Sequence, residues 1–159
     1  MSVSRANSWT IPAIATAGLI AGILDIPSAF VIAELKGTGS IRMLQGIASG
    51  LLGPQSFKGG MAIAGLGLAI HFWIAFTAAL VFYVGSRQLG FLTRHAVASG
   101  LLYGIAVYLF MYWFVVLLAF ATARHSISRD LSAVIVHMLL IGLPIALIVR
   151  RFSEKPTET

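Results

Sequence analysis

Four long apolar runs separated by short polar segments form the main pattern of this chain. They cover residues 11–35, 61–84, 96–123 and 131–149, and polar or charged residues bound each of them. A helix needs about 20 apolar residues to cross about 30 Å of hydrocarbon, and each run approaches or exceeds that length. The pattern therefore predicts four transmembrane helices, each antiparallel to the next.

A different pattern occupies residues 40–52, between the first two runs. Its apolar positions recur at helical spacing and alternate with polar ones, namely Ile41, Leu44, Ile47, Ala48 and Leu51 with Arg42, Gln45 and Ser49. The segment is too short to cross a bilayer, so we expect an amphipathic helix that is interfacial or re-entrant. A loop containing Gly and Pro follows at residues 53–60.

These elements predict an all-α membrane protein, an antiparallel four-helix bundle forming a single transmembrane domain over residues 1–152. The composition agrees, since 58% of residues are hydrophobic, 10% are charged and the mean hydropathy is +0.94. The first apolar run is as long as a full span, so we expect it to be retained and not cleaved as a signal peptide. Residues 153–159 are predicted to be a disordered tail.

Charge adds information about partners and orientation. The formal net charge is +6, which in a soluble protein would suggest nucleic acid as a partner. All basic residues lie between or beyond the apolar runs, so we interpret them as headgroup anchors and expect a lipid bilayer, with no nucleic-acid partner. The side that carries both termini has Arg5, Arg87, Arg94, Arg150, Arg151 and Lys155, against Lys36, Arg42, Lys58, Arg124 and Arg129 on the other.

This near-balance of basic residues permits insertion in both directions. The adjacent pair Arg150 and Arg151 favours both termini in the cytoplasm. The chain has no cysteine, which excludes disulfides, a thiolate nucleophile and Cys-ligated metal centres. It also shows no Ser, His and Asp spacing of a hydrolase and no metalloprotease helix motif, so the sequence does not indicate an enzyme.

Each apolar run has one ionisable or phenolic side chain at a similar depth in its interior: Asp25, His71, Tyr108 and His137. Counted from the membrane face that carries the termini, they lie 12 to 14 residues inside their runs. At about 1.5 Å per residue, this places them roughly 18 to 21 Å from that face. The four residues are therefore predicted to form one polar layer inside the bundle.

Small residues share helical faces with this layer. Gly18 and Gly22 lie on the face of Asp25, and Gly67 and Ala75 lie on that of His71. Membrane helices approach each other at such faces, so these side chains are expected to point into the bundle. Gly18 with Gly22, and Gly100 with Gly104, also predict faces for a homo-oligomer or a larger membrane complex.

Three interpretations of the layer remain open. Asp25 and a histidine could satisfy one another in an interhelical hydrogen bond that only stabilises the bundle. Asp25, His71 and His137 could instead form a proton-, ion- or ligand-binding site, with Tyr108 as a hydrogen-bond donor, because imidazole titrates near neutral pH. Alternatively, His71 and His137 lie at similar depth on different helices, as metal binding or bis-imidazole ligation of haem would require.

The corresponding functions are movement of protons, ions or a small solute, a non-catalytic accessory subunit of a larger membrane complex, and a haem- or quinone-linked redox carrier. We expect no cofactor under the first two and haem under the third.

Three segments carry a resemblance to known proteins: RMLQGIASGLLG at residues 42–53, GLGLAIHF at 65–72 and GLP at 142–144. Together they resemble uncharacterised families of small bacterial inner-membrane proteins with four transmembrane helices. The resemblance implies a bacterial inner-membrane location and carries no activity. In size, and in having one acid in the first span, the chain is also similar to small multidrug-resistance transporters. Their acid is Glu, whereas this chain has Asp25, and the rest of their pattern is absent.

Overall fold

A computed structural model describes residues 9–111 and 127–154, and within these ranges the chain is helical and contains no strand. Its elements are α1 (Thr10–Leu35), α2 (Ser40–Leu52), a 3-10 helix (Gly53–Lys58), α3 (Gly60–Gln88), α4 (Phe91–Arg94), α5 (Ala96–Leu109), α6 (Ile127–Val136), a π-helical segment (His137–Gly142) and α7 (Leu143–Ser153). The last three are continuous, and we call them the C-terminal helix.

In the described ranges, three helices are long and apolar enough to cross a membrane: Thr10–Leu35, Gly60–Gln88 and Leu131–Ser153. The prediction of an all-helical chain with long apolar helices is confirmed for this part of the molecule. Of the third predicted span, α5 accounts for the first half. Residues 112–123, in its second half, lie outside the described residues. The complete four-helix bundle therefore stays a prediction.

The boundaries differ little from the predicted ones. The C-terminal helix continues past the expected end at residue 149, and Ser153 is its last residue. The start of the predicted disordered tail is therefore helical, and residues 155–159 lie outside the described part of the chain.

Contacts at the helix ends show that the neighbouring helices are antiparallel. The Thr10 and Tyr83 hydroxyls are 2.8 Å apart, which places the start of α1 beside the end of α3. The Trp9 and Phe152 rings lie 6.1 Å apart, which places the same end of α1 beside the end of the C-terminal helix. Because these helices alternate in direction, residues at the same depth from one membrane face lie at one level of the bundle.

The core is built from small residues. Ala13, Ala17 and Ala21 of α1 are fully buried and belong to one cluster with Ile145 and Val149 of α7. Large apolar side chains instead lie on the outside, among them Ile11, Leu35, Trp73 and Leu102. Small side chains let membrane helices approach closely, and lipid is the natural neighbour of the large exposed ones.

Helix α2 packs against α3 and does not lie apart from the bundle. A Cβ atom at Gly67 would collide with the Leu44 carbonyl, so the two helices cross with backbone in contact. The Gln45 side-chain amide donates to the Gly60 carbonyl at 3.0 Å, and Leu44 and Ala48 are buried. Packing of the bundle covers Leu44 and Ala48 of the apolar face of α2, whereas Ile41 and Leu51 of that face are exposed. The expected interfacial or re-entrant position stays a prediction.

A matched pair of substitutions tests this crossing. We expect Gly67→Ala to destabilise the protein by about 1 to 3 kcal/mol, because the added methyl group meets fixed backbone. Gly65→Ala, two residues earlier on α3 with open space at its Cβ position, should be neutral or stabilising by about 0.5 to 1 kcal/mol. Thermal unfolding of both variants in the same detergent measures the difference, and equal midpoints would contradict the close crossing.

The glycine faces that we predicted for self-association are occupied within the chain. A Cβ atom at Gly22 would lie 2.6 Å from the Phe72 ring of α3, and one at Gly100 would lie 2.9 Å from Ala146 of α7. Gly18 meets Phe76 and Gly104 meets Met138 in the same way. These faces are therefore not open to a second copy. Self-association itself stays a prediction, through some other surface.

Candidate functional site

A cavity of about 260 Å³ lies between α1, α2, α3, α5 and the C-terminal helix. Asp25, His71 and His137 all line it, so the three predicted ionisable residues meet from three separate helices. We call this cavity the polar chamber. Its existence follows from the antiparallel packing, which brings the predicted depths to one level. That the chamber binds anything stays a prediction.

The rest of the chamber wall is apolar. It consists of Ala21, Gly22, Ala29, Ile47, Ile74, Ala75, Ala78, Val107, Met111 and Ile141. Ile47 belongs to α2, so the amphipathic helix closes one side. In such surroundings electrostatic interactions are stronger than in water, and an uncompensated charge is costly.

His71 is held by the backbone of α1. Its Nε2 atom lies 3.2 Å from the Gly22 carbonyl oxygen. Because a carbonyl only accepts, Nε2 carries the hydrogen and donates it, which leaves a lone pair on Nδ1 of the neutral ring. The close approach of α1 and α3 at Gly22 makes this interhelical hydrogen bond possible.

His137 is held by its own helix. Its Nδ1 atom donates to the Ala133 carbonyl at 2.8 Å, so the neutral ring has its lone pair on Nε2. His137 is also the first residue of the π-helical segment, which packs against Gly104 of α5. The wide π turn needs room, and glycine provides it on the facing helix. Single π turns occur often at functional sites.

Tyr108 lies beside His137 and does not line the chamber. The two rings are 5.7 Å apart in an edge-to-face arrangement, and Tyr108 is only 2% exposed. The sequence placed this tyrosine in the polar layer as a hydrogen-bond donor. In the structure its ring packs against the imidazole of His137. Its role as a hydrogen-bond donor stays a prediction.

Asp25 is partly buried, and its carboxylate interacts electrostatically with the imidazoles of His137 and His71. Its backbone carbonyl accepts a hydrogen bond of 2.7 Å from the Ser28 hydroxyl. Within the described residues, no hydrogen bond joins the Asp25 carboxylate to either imidazole, and both rings bond to backbone carbonyls instead. Acid and histidine therefore do not bond directly, although the bond of His71 to Gly22 does join α3 to α1. The structural interpretation of the layer stays a prediction.

The described part of the chain has no group of three or more His, Cys, Asp or Glu side chains arranged to hold a metal ion. Haem needs only two imidazoles, and His71 and His137 do line one cavity. The haem alternative stays a prediction, which an absorption spectrum of the purified protein tests.

No family model, curated protein or solved structure matches this chain. The resemblance seen in the sequence therefore brings no function to the chamber. What the protein does has to be inferred from the chemistry of Asp25, His71, His137 and their surroundings.

The sequence did not identify several features of the chamber. Ile47 stands on the apolar face of α2, but nothing in the pattern says which helix that face meets. Pro144 lacks a backbone N–H and so indicates irregular hydrogen bonding one turn earlier. It does not show that the irregularity is a π-helical segment beginning at His137.

Proposed function

We propose that this protein moves a small solute across the membrane in a proton-linked manner, with Asp25 as the titrating acid of the polar chamber. One observation supports this most strongly. A carboxylate and two imidazoles share an otherwise apolar cavity, and the carboxylate is hydrogen-bonded to neither ring.

The chamber has the chemistry needed to exchange a proton. Each imidazole is fixed through one nitrogen and has a lone pair on the other, so each ring can take up a proton without losing its anchor. Imidazole titrates close to neutral pH, and burial disfavours a lone carboxylate charge. A proton or a cationic solute can therefore neutralise the Asp25 carboxylate in turn.

This competition provides the link between proton and solute. When the solute leaves, an unpaired charge in a largely apolar cavity is costly, and protonation removes that cost. In this scheme His71 and His137 pass the proton to and from Asp25. Tyr108 holds the ring of His137 in place.

Two substitutions test the histidines while keeping their anchoring bonds. His71→Gln has an amide at the position of Nε2, and His137→Asn has one at the position of Nδ1, so each can still donate to its carbonyl. We expect both variants to fold and to lower proton flux in proteoliposomes by roughly tenfold to a hundredfold, because the proton-accepting nitrogen is gone. Flux at the wild-type level in both would show that the rings do not carry protons.

The two other functions stay predictions from the sequence. A haem absorption band in the detergent-extracted protein would favour the redox carrier. Co-purification with a fixed set of larger subunits would favour the accessory subunit.

A further inference from the structure

A second cavity, of about 500 Å³, lies between α3 and α5. We call it the apolar groove. Its lining residues are Trp73, Ile74, Thr77, Ala78, Val81, Tyr103, Ala106, Val107, Phe110 and Met111. Trp73 is 74% exposed, so the groove lies on the outside of the described bundle, where lipid is expected.

The two hydroxyl groups of the groove are already hydrogen-bonded. The Thr77 hydroxyl donates to the Trp73 carbonyl at 2.8 Å, and the Tyr103 hydroxyl donates to the Ala78 carbonyl at 2.7 Å. The groove therefore suits a hydrocarbon or aromatic body and offers little to a polar one.

The apolar groove adjoins the polar chamber. Ile74, Ala78, Val107 and Met111 line both spaces. A Met side chain is unbranched and adapts its shape easily. Met111 can therefore change its side-chain conformation more easily than a branched residue could. A molecule lying in the groove would thus have one end next to the chamber.

The chamber itself is rich in hydrogen-bond acceptors. The Asp25 carboxylate only accepts, and the imidazole N–H groups are used by the Gly22 and Ala133 carbonyls. What remains in the neutral rings is the lone pair on Nδ1 of His71 and the lone pair on Nε2 of His137. The group that complements these acceptors has several N–H donors and a positive charge, which describes an ammonium group.

We infer that the solute is an amphipathic amine, whose ammonium group binds in the polar chamber while its apolar body lies in the apolar groove. This inference rests on the proposed function and names the class of its substrate. Such a molecule reaches the groove from the bilayer and needs no water-filled path. A fatty acid would bring a second carboxylate beside Asp25, and an alcohol would bring one donor and no charge.

The groove contains a residue that reports on binding. Trp73 is one of three tryptophans, so the variant Trp9→Phe/Trp113→Phe leaves it as the sole tryptophan. This variant in nanodiscs is titrated at pH 7 with dodecylammonium, dodecanol and dodecanoate. We expect a saturable change in Trp73 fluorescence with dodecylammonium, at a concentration roughly tenfold below that needed with the other two.

Two controls separate binding from partition into lipid. A protein with all three tryptophans replaced by Phe and with Leu102→Trp reports from an exposed position of α5 outside the groove, and should show no saturation. Ala106→Phe, which adds a ring to the groove but not to the chamber, should abolish the saturable signal of Trp73.

The substitution Asp25→Asn tests the ammonium position. It should weaken dodecylammonium binding roughly tenfold and leave dodecanol binding unchanged. Equal binding of all three probes, or no effect of Ala106→Phe, would overturn the inference and indicate a groove filled by lipid.

The same proteoliposomes separate this inference from the proposed function. If proton flux depends on Asp25 but dodecylammonium shows no preference, the substrate class is wrong and proton movement stands. If dodecylammonium binding depends on Asp25 but proton flux does not, the binding site stands and the proton link is wrong.

Discussion

Asp25→Asn is expected to reduce proton flux in proteoliposomes to the level of protein-free liposomes, while the protein still folds. Asn has nearly the size of Asp and keeps hydrogen-bonding capacity, but it cannot bind or release a proton. The loss follows because Asp25 is the only carboxylate among the described residues that line the polar chamber. A pH-sensitive dye inside the liposomes measures the flux after an imposed pH step.

The matched control is Glu34→Gln. Glu34 lies near the end of α1, outside the chamber, and its Oε1 atom accepts hydrogen bonds from the backbone and the hydroxyl of Ser40. The amide oxygen of Gln can accept the same bonds, so we expect wild-type flux. If Asp25→Asn leaves flux unchanged while Asp25→Ala unfolds the protein, the layer is structural and the transport proposal fails.

Gly142→Ala is expected to have the largest effect on stability. A Cβ atom at Gly142 would collide with the Gly100 carbonyl and with the backbone of Gly104, so α5 would have to move as a whole. Forcing extra volume into a packed core typically costs about 1 to 3 kcal/mol, and a contact with fixed backbone lies at the upper end. Thermal unfolding in detergent should show a clearly lowered midpoint.

Gly46→Ala provides the comparison for this variant. Gly46 lies in α2 with open space at its Cβ position, so the change should be neutral or stabilising by about 0.5 to 1 kcal/mol. Because Gly142 ends the π-helical segment that begins at His137, the folded fraction of Gly142→Ala should also lose proton flux. A midpoint equal to that of Gly46→Ala would show that α5 and the C-terminal helix do not cross at backbone contact.

Much of the described helical structure could be predicted from the apolar pattern alone. The bounds of α1 and α2 agree with the predicted segments to within a residue, and α3 extends only a few residues beyond its run. Depth within a span is also readable from sequence, because the rise per residue is fixed and neighbouring helices alternate in direction. Those two facts place Asp25, His71 and His137 at one level, and the small residues on the faces of Asp25 and His71 predict that these side chains point into the bundle.

The remaining features depend on which helix packs against which, and that pairing cannot be read from a single sequence. A glycine stripe indicates close approach but not the partner. The sequence therefore predicts an oligomer face at Gly100 and Gly104, whereas in the structure both glycines meet the C-terminal helix. The hydrogen bond of His71 to Gly22 likewise depends on the rotation of α1 against α3. Residues 112–123 of the third predicted span lie outside the described part of the chain.

Cross-linking in the bilayer tests most directly whether the acid and the imidazoles converge. The chain has no native cysteine, so introduced pairs react without background. Asp25→Cys/His71→Cys and Asp25→Cys/His137→Cys should be joined within the monomer by a short bifunctional thiol reagent. Asp25→Cys/Trp73→Cys should not react, because Trp73 lies on the exposed side of α3. Reaction of the Trp73 pair alone, or of no pair in a folded protein, would contradict the polar chamber.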